Sequence, residues 1–189
     1  HVVPIVNDLL VSFDAFSFCL PPEVTKKGWD GKSWFHTDQS YLRNDFECIQ
    51  SWVTANDVED GDSTLAIMEG SHKYHKEFAE KFNCNDKSDW YKLNSIEEKF
   101  YVDKKCQYKR IKCPKGSLVL WDSRTFHQNQ YGKPNSEERI VQYVCYLPKN
   151  NPNNTNSQTK KRKKYFNERR TTSHWPYPIR VNGKQPQTY

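Results

Sequence analysis

Gly31-Lys-Ser-Trp-Phe-His-Thr-Asp38 is the stretch around which this chain is organised. His36 and Asp38 stand two residues apart, directly after the aromatic pair Trp34 and Phe35. Residues two apart on a β-strand point to the same face. An imidazole and a carboxylate side by side at the end of an aromatic-rich strand can hold one metal ion between them. A surface His beside a surface Asp produces the same tripeptide, so the rest of the chain has to decide.

A metal held by this pair needs a third ligand from elsewhere. The best candidate is His127, ninety-one residues on, at the end of Gly116-Ser-Leu-Val-Leu-Trp-Asp-Ser-Arg-Thr-Phe-His127. Two imidazoles and one carboxylate make the facial triad of non-haem Fe(II) sites, which leaves coordination positions open for substrates. His72 and His75 are rival ligands. Spaced by three, they share at most one helical turn and bring no third partner, so His72 reads as a structural residue at a helix start, with Ser71 as the N-cap.

The chain has 189 residues, a length suited to one domain with a full core. Its aromatic content is 14%, while Gly (7) and Met (1) are scarce, a balance that favours a β-rich fold. No apolar run reaches the roughly 20 residues that cross a bilayer as a helix. The beginning, His1-Val-Val-Pro-Ile5, lacks the basic flank and apolar stretch of a signal peptide and lacks an initiator Met. It reads as the start of a trimmed fragment. Six Cys without a Cys-x-x-Cys pair argue against a zinc knuckle and for free thiols in a reducing compartment. The location expected is intracellular, cytoplasmic or nuclear.

The net charge of +6 is unevenly spread. Residues 151–189 hold nine Lys or Arg against one acidic residue, leaving 20 against 22 in residues 1–150. Asn150 to Gln158 is low-complexity and polar. The expected organisation is therefore one β-domain over 1–149, followed over 150–189 by a polar linker and a basic tail with a helical turn near Arg170. Lys160-Lys-Arg-Lys-Lys164 reads either as a nucleic-acid or nuclear-import patch or as a solvated charge run. Asn153-Asn-Thr155 matches a glycosylation acceptor, an ordinary coincidence in an Asn-rich run.

Strands are expected over 12–20, 34–38, 46–55, 63–68, 107–111, 117–121 (buried), 125–129 and 139–147, with a turn at Gly28–Gly31 and a helix over about 73–82. Residues 83–100 read as polar and irregular, with one helical turn near Trp90. Short strands separated by turn signals point to an all-β fold with minor helices, a sandwich or jelly roll.

Four pieces in this order resemble the phytanoyl-CoA dioxygenase family of Fe(II)- and 2-oxoglutarate-dependent oxygenases. They are His36-Thr-Asp38, the segment from Asp57 to Lys73 with Glu69-Gly-Ser-His-Lys, the strand and turn ending at His127, and Asn135-Ser-Glu-Glu-Arg139. The resemblance covers about residues 30–147. Glu69 and Asp62 depart from the residues usual at their positions, outside the metal motif.

The resemblance implies a double-stranded β-helix, the cupin-like jelly roll, and a dioxygenase that hydroxylates a small-molecule or acyl-type substrate and releases succinate and CO2. It implies Fe(II) on His36, Asp38 and His127, with 2-oxoglutarate and O2 as cosubstrates. Asp38 disfavours a related halogenase, which keeps that position free for halide. The resemblance also implies that Arg139 clamps the far carboxylate of 2-oxoglutarate, a pairing that suits guanidinium geometry. Trp52 stands as a pocket wall or a core residue, and Asn129 as a cosubstrate hydrogen-bonder or a turn residue. Thr37 and Gln39 flank the motif as further candidates. No catalytic residue beyond the metal ligands is expected. A jelly-roll module without turnover, and an oxygenase brought to nucleic acid by its tail, stand as alternatives.

Overall fold

Short runs of β-branched and aromatic residues, each bounded by Gly, Pro, Asn or Asp, do form strands, and the strands make two antiparallel sheets. The computed structural model describes residues 8–26, 32–85 and 87–183. The turn expected at Gly28–Gly31 and the start at His1–Ile5 lie outside the described residues. In chain order the elements are β1 (Leu9–Val11), β2 (Phe16–Cys19), α1 (Pro22–Thr25), β3 (His36–Thr37), β4 (Ile49–Thr54) and β5 (Thr64–Glu69). After a 3₁₀ turn (Ser71–Tyr74) come α2 (His75–Lys81), β6 (Tyr91–Lys92), α3 (Ser95–Asp103), β7 (Gln107–Arg110) and β8 (Leu118–Asp122). The chain ends with β9 (His127–Gln130), β10 (Arg139–Tyr143), β11 (Tyr146–Pro148) and α4 (Asn156–Asn167).

One sheet runs β1-β11-β4-β10-β2, with β8 also paired to β4; the other runs β6-β3-β9-β5-β7. The period-2 alternation of each strand decides what lies between them. Trp52, Val141 and Val119 of the first sheet pack against Leu65 and Ile67 of the second, forming an inter-sheet core. The opposite face of β5, Ala66 and Met68, packs on Phe78 of α2 and Phe100 and Tyr101 of α3. The second sheet is thus covered on both sides, and the fold is the expected β-rich jelly roll with few short helices.

Several local expectations need correction. The strand over 117–121 is not buried: Leu118 and Leu120 are 47% and 52% exposed, and only the alternate residues Val119 and Trp121 reach the inter-sheet core. The stretch 83–100 is irregular only as far as Trp90 among the described residues: β6 follows at Tyr91–Lys92, the helical turn expected near Trp90 does not form, and Asn94 starts α3 with a capping box. Its side chain accepts from Ile96 and Glu97 N–H while Glu97 accepts from Asn94 N–H. The expected strand over 139–147 is interrupted at Val144–Cys145, where the Cys145 amide turns to the Ser12 hydroxyl (2.9 Å).

The largest correction concerns residues 150–183, which do not trail away as a basic tail. Trp175 and Tyr177 are buried against Cys48, Cys145 and Leu147. Thr172 N–H donates to Phe13 O at 2.7 Å, and the Tyr177 hydroxyl donates to Pro148 O at 2.5 Å. Within the Lys160–Lys164 run, Arg162 donates to Val11 O and Pro176 O and lies over the Phe13 ring. Among the described residues, no helix is long and apolar enough to cross a membrane.

Candidate metal centre

β3 and β9 are neighbours in register: His36 pairs directly with His127, and on the other side of β9, His127 pairs with Ile67 and Asn129 with Leu65. Paired residues share a sheet face. Because Leu65 and Ile67 face the first sheet, both imidazoles and Asn129 do too. Phe35 and Phe126, one residue before each His, point the other way into the helix-side core. The aromatic residues flanking the motif thus anchor the strands that aim the ligands.

Asp38 lies just past the two-residue β3, not on it, yet its carboxylate reaches both rings. Oδ1 is 3.7 Å from His36 Nε2, and Oδ2 is 3.3 Å from His127 Nε2. One ligand atom from each of the three lies within 4.8 Å of the others, and all three residues are buried. In each His, Nδ1 approaches the carbonyl two residues back, Trp34 O at 3.3 Å and Thr125 O at 3.0 Å. A carbonyl only accepts, so Nδ1 carries the hydrogen and the Nε2 lone pair is left for a metal. The His36 ring also stacks on Trp34.

Sequence reasoning missed the residues behind Asp38. Gln50 Nε2 donates to Asp38 Oδ2 at 2.7 Å, and Gln50 Oε1 accepts from Trp121 Nε1 at 2.9 Å. This chain fixes the carboxylate rotamer from the opposite sheet. An inward-facing Gln in β4, twelve residues after Asp38, was the available signal. Burial, then repulsion from His127, lowers the His36 imidazole to about 4, against the pull of Asp38. Burial alone would raise Asp38, but the hydrogen bond and charge of His127, with His36, hold it well below the usual carboxylate range. A His36 imidazole shifted toward its neutral form beside an ionised Asp38 suits a divalent cation, which binds deprotonated ligands.

Beside the triad opens a cavity of about 450 Å³, with Trp34, Trp90 and Trp121 among its walls together with Asn129, Tyr143 and His174. Arg139 lines an adjoining cavity of about 340 Å³ that shares Ser17, Trp34 and Asn129 with the first. The Arg139 guanidinium is buried over the Trp52 ring, and its Nε and Nη2 have no partner among the described residues. Its Nη1 donates to the Tyr143 hydroxyl at 3.5 Å, which also accepts from Asn129 Nδ2 at 3.1 Å. Tyr143, unforeseen from sequence, therefore joins Asn129 to Arg139. Trp52 is fully buried in the inter-sheet core as a platform for Arg139 and does not line either cavity.

The other candidates are structural. Thr37 donates to Ser123 O, and Gln39 donates to Arg43 O and Asp45 O, so both hold the loop after the motif. His75 is buried, stacked on Tyr41 with Nε2 3.3 Å from Ser40 O. His72 belongs to the 3₁₀ turn and to neither cluster of metal-capable side chains among the described residues. Ser71 is not the cap; its hydroxyl accepts from Phe126 N–H at 2.9 Å, one residue before the ligand His127. Asp62, the departure noted above, accepts from Glu59 and Glu137 N–H and ties two loops together.

Residues 14–132 match the family described as phytanoyl-CoA dioxygenase (PhyH). The chain belongs to the phytanoyl-CoA dioxygenase family. A curated relative, "Ava biosynthesis cluster protein O" of Aspergillus versicolor, is 29% identical over 164 residues, 82% of this chain and 52% of the relative. The chain thus spans about half the length of the curated relative it matches. Among solved structures it is similar to the "non-heme alpha ketoglutarate dependent carbocyclase SnoK" (16% identity, TM-score 0.49, 70% of this chain and 47% of that one). It is also similar to the "non-heme monooxygenase; ThoJ apo" (13%, TM-score 0.47, 76% and 48%).

The family's cofactors, Fe(II) with 2-oxoglutarate and O2, fit the residues in place. The triad offers two nitrogens and one carboxylate to a single ion. The two orphaned donors of Arg139 are what the far carboxylate of 2-oxoglutarate would meet; buried donors left without acceptors are otherwise costly.

Proposed function

We infer that the protein is an Fe(II)- and 2-oxoglutarate-dependent oxygenase that hydroxylates a small organic molecule. The observation that carries this is the pairing of a buried His-Asp-His cluster with a buried Arg139 whose Nε and Nη2 lack partners among the described residues. When bound, Fe(II), 2-oxoglutarate and O2 supply an oxidant that attacks a C–H bond, with succinate and CO2 released. His36, Asp38 and His127 would hold the ion, with Gln50 keeping Asp38 in place. Arg139 would take the far carboxylate of 2-oxoglutarate, steadied by Trp52 and Tyr143, with Asn129 beside it. The tryptophan walls would exclude water and take up an apolar substrate. A biosynthetic small molecule is the substrate class we favour, in keeping with the name of the Aspergillus relative.

The test is anaerobic calorimetric titration of 2-oxoglutarate with and without Mn(II) in place of Fe(II). Binding should require the metal and be lost in His127→Ala and Arg139→Ala. A folded, Mn(II)-loaded protein that does not bind 2-oxoglutarate would overturn the reading and favour a jelly-roll module without turnover.

A further inference from the structure

Asp14 has only 2% of its side chain exposed, and its acceptor sites are well defined. Oδ1 accepts from Ala15 N–H at 2.7 Å. Oδ2 is 3.5 Å from Ser12 Oγ, 3.8 Å from Cys145 Sγ and 2.6 Å from His174 Nδ1. Of these partners only His174 can carry positive charge, and no other cation pairs with Asp14 among the described residues. The 2.6 Å hydrogen bond to a carboxylate oxygen favours the charged form of the imidazole. Burial by itself would lower the His174 imidazole, but the bond to Asp14, with Cys145 and the charge of Asp38, raises it to about 11.

The 2.6 Å bond also fixes the ring. Nδ1 must donate to Asp14, so the far edge, Nε2–H, is a second donor, and it has no acceptor among the described residues. His174 is in the wall of the metal cavity and of a smaller one of about 220 Å³ that it shares with Asp38 and Trp90. No Lys or Arg lines the metal cavity among the described residues. Arg139, in the adjoining cavity, is committed to 2-oxoglutarate if the proposed function holds. Among its protein groups one cation therefore remains to greet a substrate, beside the apolar walls of Phe16, Leu65 and the three tryptophans and the uncharged polar groups of Ser17, Asn129 and Tyr143.

We propose that His174, held by Asp14, anchors the substrate, and that the substrate is an aromatic or apolar molecule bearing an anionic oxygen such as a carboxylate or phenolate. The assignment rests on the metal-centre reading above for its second half, the role of the cavity. Its first half, an anion-recognising imidazolium, can be tested without turnover.

The probes are naphthalene-2-carboxylate and its neutral isostere naphthalene-2-carboxamide. Each is titrated into metal-free protein held in a chelator, so that no metal can take the carboxylate, with quenching of tryptophan fluorescence as the readout. The carboxylate should bind at least about tenfold more tightly than the amide. All titrations are run in an Arg139→Gln background, so that the vacant clamp cannot take the carboxylate; there His174→Gln should erase the preference while leaving amide binding unchanged, and Asp14→Asn should reduce it. Because His174→Gln leaves the buried Asp14 carboxylate without its cation, the double variant Asp14→Asn/His174→Gln, which removes both charges, is titrated beside it and should lose the preference in the same way.

Failure to bind either probe, equal affinity for both, or a preference that survives His174→Gln would overturn the proposal. So would uptake of a second equivalent of Zn(II) that His174→Gln abolishes, which would make Asp14, Cys145 and His174 a metal site. Mn(II)-dependent binding of 2-oxoglutarate, measured on the same preparation, tells failure of this proposal from failure of the oxygenase reading.

Discussion

Arg139→Met should act with opposite signs on stability and on cosubstrate binding. The Arg139 side chain is buried, with two donors that have no partner and no carboxylate in ion-pair contact among the described residues. Each such donor costs about 1–3 kcal/mol. The Trp52 face at 5.4 Å offsets part of that, by about 1–2 kcal/mol for a desolvated cation–π contact. Replacing the guanidinium by an apolar chain of similar length should therefore stabilise the ligand-free protein by about 1–3 kcal/mol. In a chain of this size that raises Tm by about 2–4 °C per kcal/mol. The same change removes two charge-assisted hydrogen bonds to bound 2-oxoglutarate, about 1.5–3 kcal/mol each, and so about 10²–10⁴ in affinity. Differential scanning calorimetry of the metal-free protein and titration of 2-oxoglutarate with Mn(II) read the two effects separately. A variant that melts lower without ligand, or binds 2-oxoglutarate as the wild type does, would refute the argument that this site is built around an absent carboxylate.

Gln50→Leu should weaken Mn(II) binding by about 10–100-fold without unfolding the chain, since Gln50 touches the metal site only through Asp38; equilibrium dialysis reads it. His75 supplies a pH signature in stability. Burial, against a hydrogen bond to Ser40, lowers its imidazole from 6.5 to about 4, so in that window the unfolded chain takes up a proton that the folded chain refuses. Stability should fall as pH drops from 6.5 to 4, by about 3 kcal/mol for His75 alone, and His75→Phe should remove that share in urea melts while the share of His36 remains. Deleting residues 150–189 should cost several kcal/mol, not only remove charge, because it uncovers Cys48, Cys145 and Leu147; a truncated chain that melts as the full chain does would contradict the packing described.

The metal centre was legible because its chemistry depends on residue type and strand parity, both written in the sequence. His36, Asp38 and His127 announce themselves by side chain, and the alternation that buries Leu65 and Ile67 turns His127 inward. The supporting residues were not legible in that way. Gln50 and Tyr143 are ordinary strand residues until pairing places Gln50 behind Asp38 and Tyr143 beside Arg139. Ser71 read as a cap by its position before a helix, yet Phe126 N–H, fifty-five residues on, claimed its hydroxyl. Helix α3 was different: its signal, Asn94 three residues before Glu97, lay in the sequence, unmatched by a strong apolar stripe to draw attention to it.

Net charge is a poor guide to whether a segment packs, and residues 150–183 show why. Charge is summed over side chains, whereas packing needs only a few contacts at the right spacing. In α4 the half-buried positions are Gln158, Arg162 and Tyr165, a helical i, i+4, i+7 stripe, while Lys160, Lys161, Lys163 and Lys164 face solvent. A stripe with one aromatic among polar residues gives no hydrophobic periodicity to detect. It holds because its polar groups are spent on backbone: Arg162 on Val11 O and Pro176 O, and Gln158 Oε1 on Ile179 N–H. Lys160, Lys161 and Lys163 then remain for any anionic partner, since Lys164 pairs with Glu168 at 3.9 Å. The same docking brings His174 against the buried Asp14 and into the wall of the metal cavity, so the segment with the greatest excess of charge reaches the site through one contact of 2.6 Å.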